Sequence, residues 1–337
     1  MQHSLRLLTR DNGVGLSRDL RLLAHGLAEA GWASEPVGLG RGGRSGLAGE
    51  AALWARRLWH GRVDTQIFIE RVYRRCLPLA DHNLLMPNPE WVRDKWRPLL
   101  PRFERVLCKT LHAQRVFEAE GCRTTYIGFT SDDRFDPAVP RVGEFFHLAG
   151  ASPAKGTEAL LAAWRKHPEW PRLTVVQAPR HARPGAERPN LDHRVGYLRD
   201  ADLRVLQNRC LFHVCPSEVE GFGHYLVEAM SVGAVVLTTD AAPMNEHVTA
   251  ERGVMIGTSP GRRQGLVLRQ RIEVEAIEAA VQYALSLDPR QLSARGAAAR
   301  AHYLDARRGF HVRLGDAMRD VMSAEAGLRE ACADPGQ

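Results

Sequence analysis

Short apolar runs that alternate with amphipathic stretches constrain this chain more than any other feature. SLRLLT (4–9) reads as a strand, DNGVG (11–15) as a glycine turn, and LSRDLRLLAHGLAEAG (16–31) as a helix with apolar residues at helical spacing and a C-cap at Gly31. A strand that hands over to a helix in this way must return parallel to itself, so a helix-covered parallel sheet is expected.

The pattern continues through candidate strands at 65–70, 82–87, 105–110 and 123–129, with a helix at 112–121. SDDRFDPAVPRVGE (131–144) is rich in Asp and Pro and reads as a linker. A second series follows, with strands at 145–150, 172–179, 211–217 and 234–240, helices at 157–167, 200–209, 224–233 and 273–287, and a loop at 179–190. The expected fold is α/β, two Rossmann-like doubly wound domains facing a cleft. Residues 1–140 form the first and 141–300 the second, and the helical tail 301–337 packs back toward the first.

Composition excludes a disordered or fibrous chain, with 44% apolar and 25% charged residues. Lys+Arg 46 against Asp+Glu 39 gives +7, compatible with phosphorylated small molecules, anionic lipid or nucleic acid. Only Lys95, Lys109, Lys155 and Lys166 are lysines, so a lysine at a motif position stands out. The six cysteines show no paired or metal-type spacing and read as buried thiols of a reducing compartment. No leader-like or membrane-spanning run is found, and a cytoplasmic location is expected.

The densest signal is SEVEGFGHYLVEAM (217–230), where Glu220 and Glu228 flank a Gly221-Phe222-Gly223 turn ahead of an apolar helix that begins near His224. Backbone N–H groups of such a turn and helix start attract anions. Two carboxylates beside a diphosphate would repel it, so they call for hydroxyl partners. A sugar at each end of a diphosphate satisfies both demands.

CPSEVEGFGHYLVEAMSVGAVVLTTDAAPMNEHV (215–248) resembles the donor-binding signature of the GT-B glycosyltransferases of family 4, the retaining E-x7-E enzymes. The resemblance implies that Glu220 contacts the transferred sugar and Glu228 the nucleotide ribose, with residues 221–224 at the diphosphate. LAGASPAKGTEALLAAW (148–164) matches the family's first strand and loop of the second domain, with Lys155 as the diphosphate cation. Ala151-Ser152 stands where the family has an Arg, and Arg180 or Arg183 is the substitute considered. VGYLRDADL (195–203) resembles the stretch that meets the nucleobase near Tyr197, and Gly13-Val14-Gly15 sits where the family places a glycine loop over the phosphates.

The implied activity is a retaining transfer of a sugar from a nucleoside diphosphate sugar to an acceptor hydroxyl, without a metal or other cofactor and with Glu220 and Lys155 at the chemistry. The acceptor is a glycan or lipid-linked molecule, with bacterial cell-envelope synthesis the usual destination. A GT-B epimerase or phosphorylase, or a non-catalytic scaffold or nucleic-acid binder, are the alternatives, and no nucleic-acid partner is expected. In the first domain, Asn88 and Glu90 of LLMPNPEW (84–91) are the acceptor-side candidates. ALWARRLWHGR (52–62) is a basic, aromatic helix suited either to the inner face of a membrane or to packing its tryptophans inward. The histidines lack metal-ligand spacing, and Asp132, Asp133 and Asp136 read as a solvated turn.

Overall fold

The computed structural model describes residues 3–10, 15–40, 44–183, 185 and 188–333, with backbone alone for 15–17 and 324–333. The chain divides into two compact units: one takes it as far as Phe129 and again from Arg307, and the other takes Thr130–Ala306.

In the first unit, β1 (Leu5–Thr9), α1 (Gly15–Glu29), β2 (Ser34–Gly38), α2 (Arg44–His60), β3 (Val63–Ile69), β4 (Ala80–Met86), β5 (Arg105–Cys108), α3 (Leu111–Ala119) and β6 (Thr124–Tyr126) follow in order. The six strands are all parallel and run β2-β1-β3-β4-β5-β6, so the direction of winding reverses between β1 and β3. β1 and the last five residues of β3 are buried without a break, as strands covered on both faces must be. Short 3-10 turns at Arg74–Leu79, Pro89–Trp91 and Asp94–Arg102 take the place of longer helices, consistent with the prolines inside them.

The second unit holds β7 (Val142–Gly150), α4 (Thr157–Lys166), β8 (Leu173–Gln177), β9 (Leu191–Val195), α5 (Asp200–Arg209), β10 (Cys210–Cys215), α6 (His224–Ser231), β11 (Val235–Thr239), α7 (Met244–His247) and β12 (Gly253–Ile256). The antiparallel hairpin β13 (Ser259–Gln264) and β14 (Val267–Arg271) comes next, then α8 (Val274–Ser286) and α9 (Pro289–Ala333). Its parallel sheet runs β12-β11-β10-β7-β8-β9, the doubly wound order whose winding reverses between β7 and β10. Phe145 stacks on Phe212 at 4.5 Å and meets Trp164 edge-on at 5.0 Å, joining sheet and helix in one core.

The stretch read as a linker opens the second unit and is fastened to it. Arg134 is 8% exposed, with Nη1 donating to Asp200 at 2.8 Å and Nε to Gln207 at 2.9 Å, while Arg300 pairs with Asp133. From Arg307 onward α9 belongs to the first unit, where Phe310 meets Phe129 edge-on at 5.1 Å. A Cβ on Gly26 of α1 would lie 2.9 Å from the Phe310 ring, so a larger residue there would have to displace that ring.

α2 buries Leu53 alone, and Leu58 and Trp59 are 85% and 84% exposed, so the inward packing of both tryptophans is not what this helix does. Among the described residues no helix is long and apolar enough to cross a membrane, and no group of three or more His, Cys, Asp and Glu is placed to hold a metal. The five cysteines with described side chains are free and buried, and burial raises their thiols, Cys76 and Cys210 to about 12.

Candidate active site

β7 and β10 are the strands at which the second sheet reverses its winding, and ligands of such sheets bind outside the carboxyl ends of those strands. The chain leaving β7 forms the loop 151–156, and the chain leaving β10 forms the segment 216–223. Glu218 N–H donates to the Ala154 carbonyl at 2.9 Å, which locks the two loops side by side.

Gly156 has φ +65°, and a Cβ there would lie 2.1 Å from the Pro216 carbonyl oxygen, so no other residue can close this junction without displacing it. The constraint sets the preceding residue. Lys155 Nζ pairs with Glu220 Oε1 and lies 3.8 Å from the centroid of the Tyr225 ring. Ser217 Oγ also donates to Glu220 Oε1 and is 2.6 Å from Tyr225 OH. Both bonds fall on Oε1 and neither on Oε2. Burial pushes the Tyr225 phenol well above its ordinary range, so it stays neutral beside this pair.

Gly223, φ +92°, caps α6, and its carbonyl accepts from Leu226 and Val227, which closes the first helical turn. Phe222 is buried against His224 and His247 with ring centroids 5.2 and 5.0 Å away, and His224 Nδ1 is 2.6 Å from Ser131 Oγ.

Glu228 lies one turn into α6 and is 1% exposed. Gln207 Nε2 donates to its Oε2 at 2.8 Å, and Gln207 is in turn held by Arg134 at 2.9 Å. A carboxylate this deep is fixed by a chain of hydrogen bonds that sequence spacing did not reveal. Tyr197, after the β9 edge strand, is 74% exposed. The neighbouring Gly196 adopts φ +139°, and its N–H bonds Gln177 at 2.9 Å.

A pocket of about 300 Å³ opens beside this junction, lined by Ser152, Gly156, Thr157, Arg180, Arg183 and Glu218 among others. Arg180 and Arg183 thus face the loop that lacks an arginine. A further cation was not found by sequence reasoning. Arg269, on β14, binds Glu218 through Nε and donates from Nη2 to the Pro153 carbonyl at 3.3 Å, and Gln270 N–H bonds the Glu218 carbonyl at 2.7 Å. The hairpin thus lays an arginine across residues 153 and 218, both of which line the pocket.

Two histidines brace the strands beneath. His147 Nδ1 lies 2.7 Å from the Val214 carbonyl and Nε2 lies 2.9 Å from Thr157 Oγ1, a geometry satisfied when Nδ1 donates and Nε2 accepts. Burial lowers its pKa to about 4. His213 donates Nε2–H to the Gln207 carbonyl at 2.9 Å and is lowered to about 3 by the same cause.

In the first unit Asn88 and Glu90 follow β4, and Asn88 Oδ1 and Glu90 Oε2 are buried. Gly15 opens α1, while Gly13 and Val14 lie outside the described residues.

With this geometry in place, comparison with known proteins is decisive for one part of the chain. Residues 191–301 match the family model of glycosyl transferases group 1. That group 1 region contains Tyr197, Glu220, the 221–224 turn and Glu228, but not Lys155. No curated protein matches by sequence.

Among solved structures, sucrose-phosphate synthase from Thermosynechococcus elongatus superposes with TM-score 0.72 at 16% identity, covering 96% of this chain and 100% of that one. A glycosyltransferase from Rickettsia africae gives TM-score 0.71 at 14% identity, covering 95% and 99%. HepE of Anabaena, solved with UDP-glucose, gives 0.68 at 16% identity, covering 95% and 99%. At these identities the match is one of fold, and the fold is GT-B.

Proposed function

We propose that this group 1 glycosyltransferase moves a sugar from a nucleoside diphosphate sugar to an acceptor hydroxyl with retention of anomeric configuration. The single observation that carries the reading is the junction of Lys155, Glu220 and the Gly223-capped start of α6, where a cation, a carboxylate and a helix N-terminus converge.

In this reading Lys155 moves from Glu220 to the diphosphate, and Glu220 accepts from sugar hydroxyls. The anomeric C–O bond breaks with its electron pair going to the phosphate oxygen. The acceptor oxygen then bonds the same face of the anomeric carbon, and its proton passes to the departing phosphate. Positive charge for the leaving group comes from Lys155, the α6 dipole and the arginines around the pocket rather than from a metal. Glu228 takes the ribose hydroxyls, which requires the side chains covering it to part when the nucleotide enters. Tyr197 marks the nucleobase edge.

The acceptor belongs to a glycan or lipid-linked molecule of a bacterial envelope, on the cytoplasmic side. The exposed Leu58 and Trp59, with Arg57 5.0 Å from the Trp54 ring, suit peripheral contact with an anionic membrane.

A thermal-shift series with UDP-, GDP- and dTDP-sugars tests the donor site, with UDP-glucose first because a fold neighbour was solved with it. One of them should stabilise the protein, Glu228→Ala should abolish that shift, and an absence of any shift refutes the reading. The anomeric configuration of the product, read by NMR, tests retention.

A further inference from the structure

The first unit carries its own built site at the point where its sheet reverses winding, between β1 and β3. Arg10 follows β1, and Glu70 and Arg71 follow β3. Glu70 N–H continues the ladder to the Met86 carbonyl at 2.9 Å, and then the chain doubles back, with Arg71 N–H on the Ile69 carbonyl at 2.8 Å. Glu70 pays for this three-residue turn with φ +65°, the one non-glycine residue at positive φ among the described residues. Strain of this kind persists where the surroundings force a side chain into a particular place.

Polar atoms gather unmatched at the same sheet end. Thr9 Oγ1 at the end of β1, Arg71 Nε and Tyr73 Oη after β3, and Asn88 Oδ1 after β4 are all shielded from solvent without a hydrogen-bond partner among the described residues. Each such atom costs about 1–3 kcal/mol when left unpaired. All four belong to the carboxyl ends of β1, β3 and β4, the strands around the reversal.

The charges point to the sign of that ligand. Lys109 is spoken for, since its Nζ binds Asp19 at 2.7 Å with both side chains buried. Arg10, Arg71 and Arg93 make no ion pair among the described residues, yet they are close enough for Arg10 and Arg93 to repel the Arg71 guanidinium, which burial already lowers. Glu70 is the carboxylate beside them, and burial and the neighbouring Asp19 raise its pKa against the pull of Lys109, Arg71 and Arg10. Among the described residues, three arginines beside Glu70 and the Lys109–Asp19 pair leave positive charge to be matched, and a guanidinium fork fits phosphate or carboxylate oxygens.

We infer that this end of the first unit binds the acceptor through an anionic group, a phosphate or carboxylate carried on a polyhydroxyl molecule, with Arg71 and Arg10 on the anion and Glu70, Tyr73 and Asn88 on hydroxyls. The inference rests on the transferase reading for the word acceptor, and on the first unit alone for the anion site.

The test titrates the full chain, held in saturating UDP to fill the donor site, with glucose 6-phosphate, glucuronate and glucose, followed by calorimetry and thermal shift. The charged sugars should bind at least tenfold more tightly than glucose, with the stronger of the two telling phosphate from carboxylate. Arg71→Gln should lose tenfold or more of that affinity and keep its UDP affinity within twofold, and Arg71→Lys should fall between. Arg10→Gln is the second variant should Arg71→Gln fold poorly.

Charged sugars that bind no better than glucose, or that bind Arg71→Gln and Arg10→Gln as tightly as the parent protein, overturn the site. If UDP fails to bind while glucose 6-phosphate binds in an Arg71-dependent way, the anion site stands and the donor reading falls.

Discussion

Acidification should unlock the second unit well before its carboxylates protonate. His147 and His213 are 0% and 3% exposed, and burial holds them at about 4 and about 3 against an ordinary 6.5. The unfolded chain therefore binds more protons than the folded one below pH 6.5, so stability is complete above that pH and falls as pH drops toward 4. pH 5 lies about 1.5 units below the unfolded pKa of both, which costs about 2 kcal/mol each and about 4 kcal/mol for the two. That is a large share of the ~5–15 kcal/mol that holds a typical domain.

The loss also has a local meaning, because His147 joins the β10 carbonyl Val214 to Thr157 at the mouth of the pocket. Urea unfolding at pH 8, 6.5 and 5, followed by tryptophan fluorescence, should show the midpoint steady between the first two and sharply lower at the third. His213→Gln should remove only about a quarter of the fall, because His147, His247 and His302 are held down by burial as well. Stability at pH 5 within ~1 kcal/mol of that at pH 8 would refute the reasoning, since two neutral buried histidines cannot avoid this cost.

Three substitutions probe the junction itself. Gly156→Ala forces a Cβ into the Pro216 carbonyl at a left-handed position, and should cost about 3 kcal/mol or more in a chemical melt while weakening nucleotide binding. Glu220→Gln keeps the shape but not the charge, so turnover should fall at least a hundredfold with UDP affinity changed less than fivefold; unchanged turnover removes Glu220 from the chemistry. Arg269→Ala takes the hairpin arginine off Glu218 and Pro153, and calorimetry should find UDP weakened several-fold with uridine unaffected, whereas equal losses for both would mean a purely structural role.

How much of this was legible depended on whether the signal was local. β1, β7, β10 and β11 announced themselves as apolar runs, and α4 and α6 as amphipathic or apolar stretches opening after glycine, because burial on both faces or one face writes directly into composition. β2 did not, since Ser34–Gly38 is a half-exposed edge strand with Pro36 inside it. Nor did the hairpin β13–β14, whose first strand is exposed over Ser259–Arg263 and rich in arginine.

The candidate site split along the same line. Glu220, the glycine turn and Glu228 lie within nine residues of one another, on one strand-turn-helix unit, and could be read together. Arg269 meets Glu218 across 51 residues, Lys109 meets Asp19 across 90, and the Glu70 turn is visible only in a backbone angle. The stretch 131–144 was read as a linker for a related reason, because its Asp and Pro mark turns without saying what the turns are packed on, which here is the partners of Arg134.

The pairing of Lys155 with Glu220 carries a consequence for selectivity under the donor reading. A cell is full of polyphosphates, ATP above all, that could crowd any bare lysine. Here such an anion would have to detach Lys155 while giving Glu220 nothing in return, stranding a carboxylate that is only 13% exposed. A nucleotide sugar presents phosphate to one partner and hydroxyls to the other in the same step. The ion pair thus acts as a stopper that is removed only by a molecule carrying both groups at the right separation.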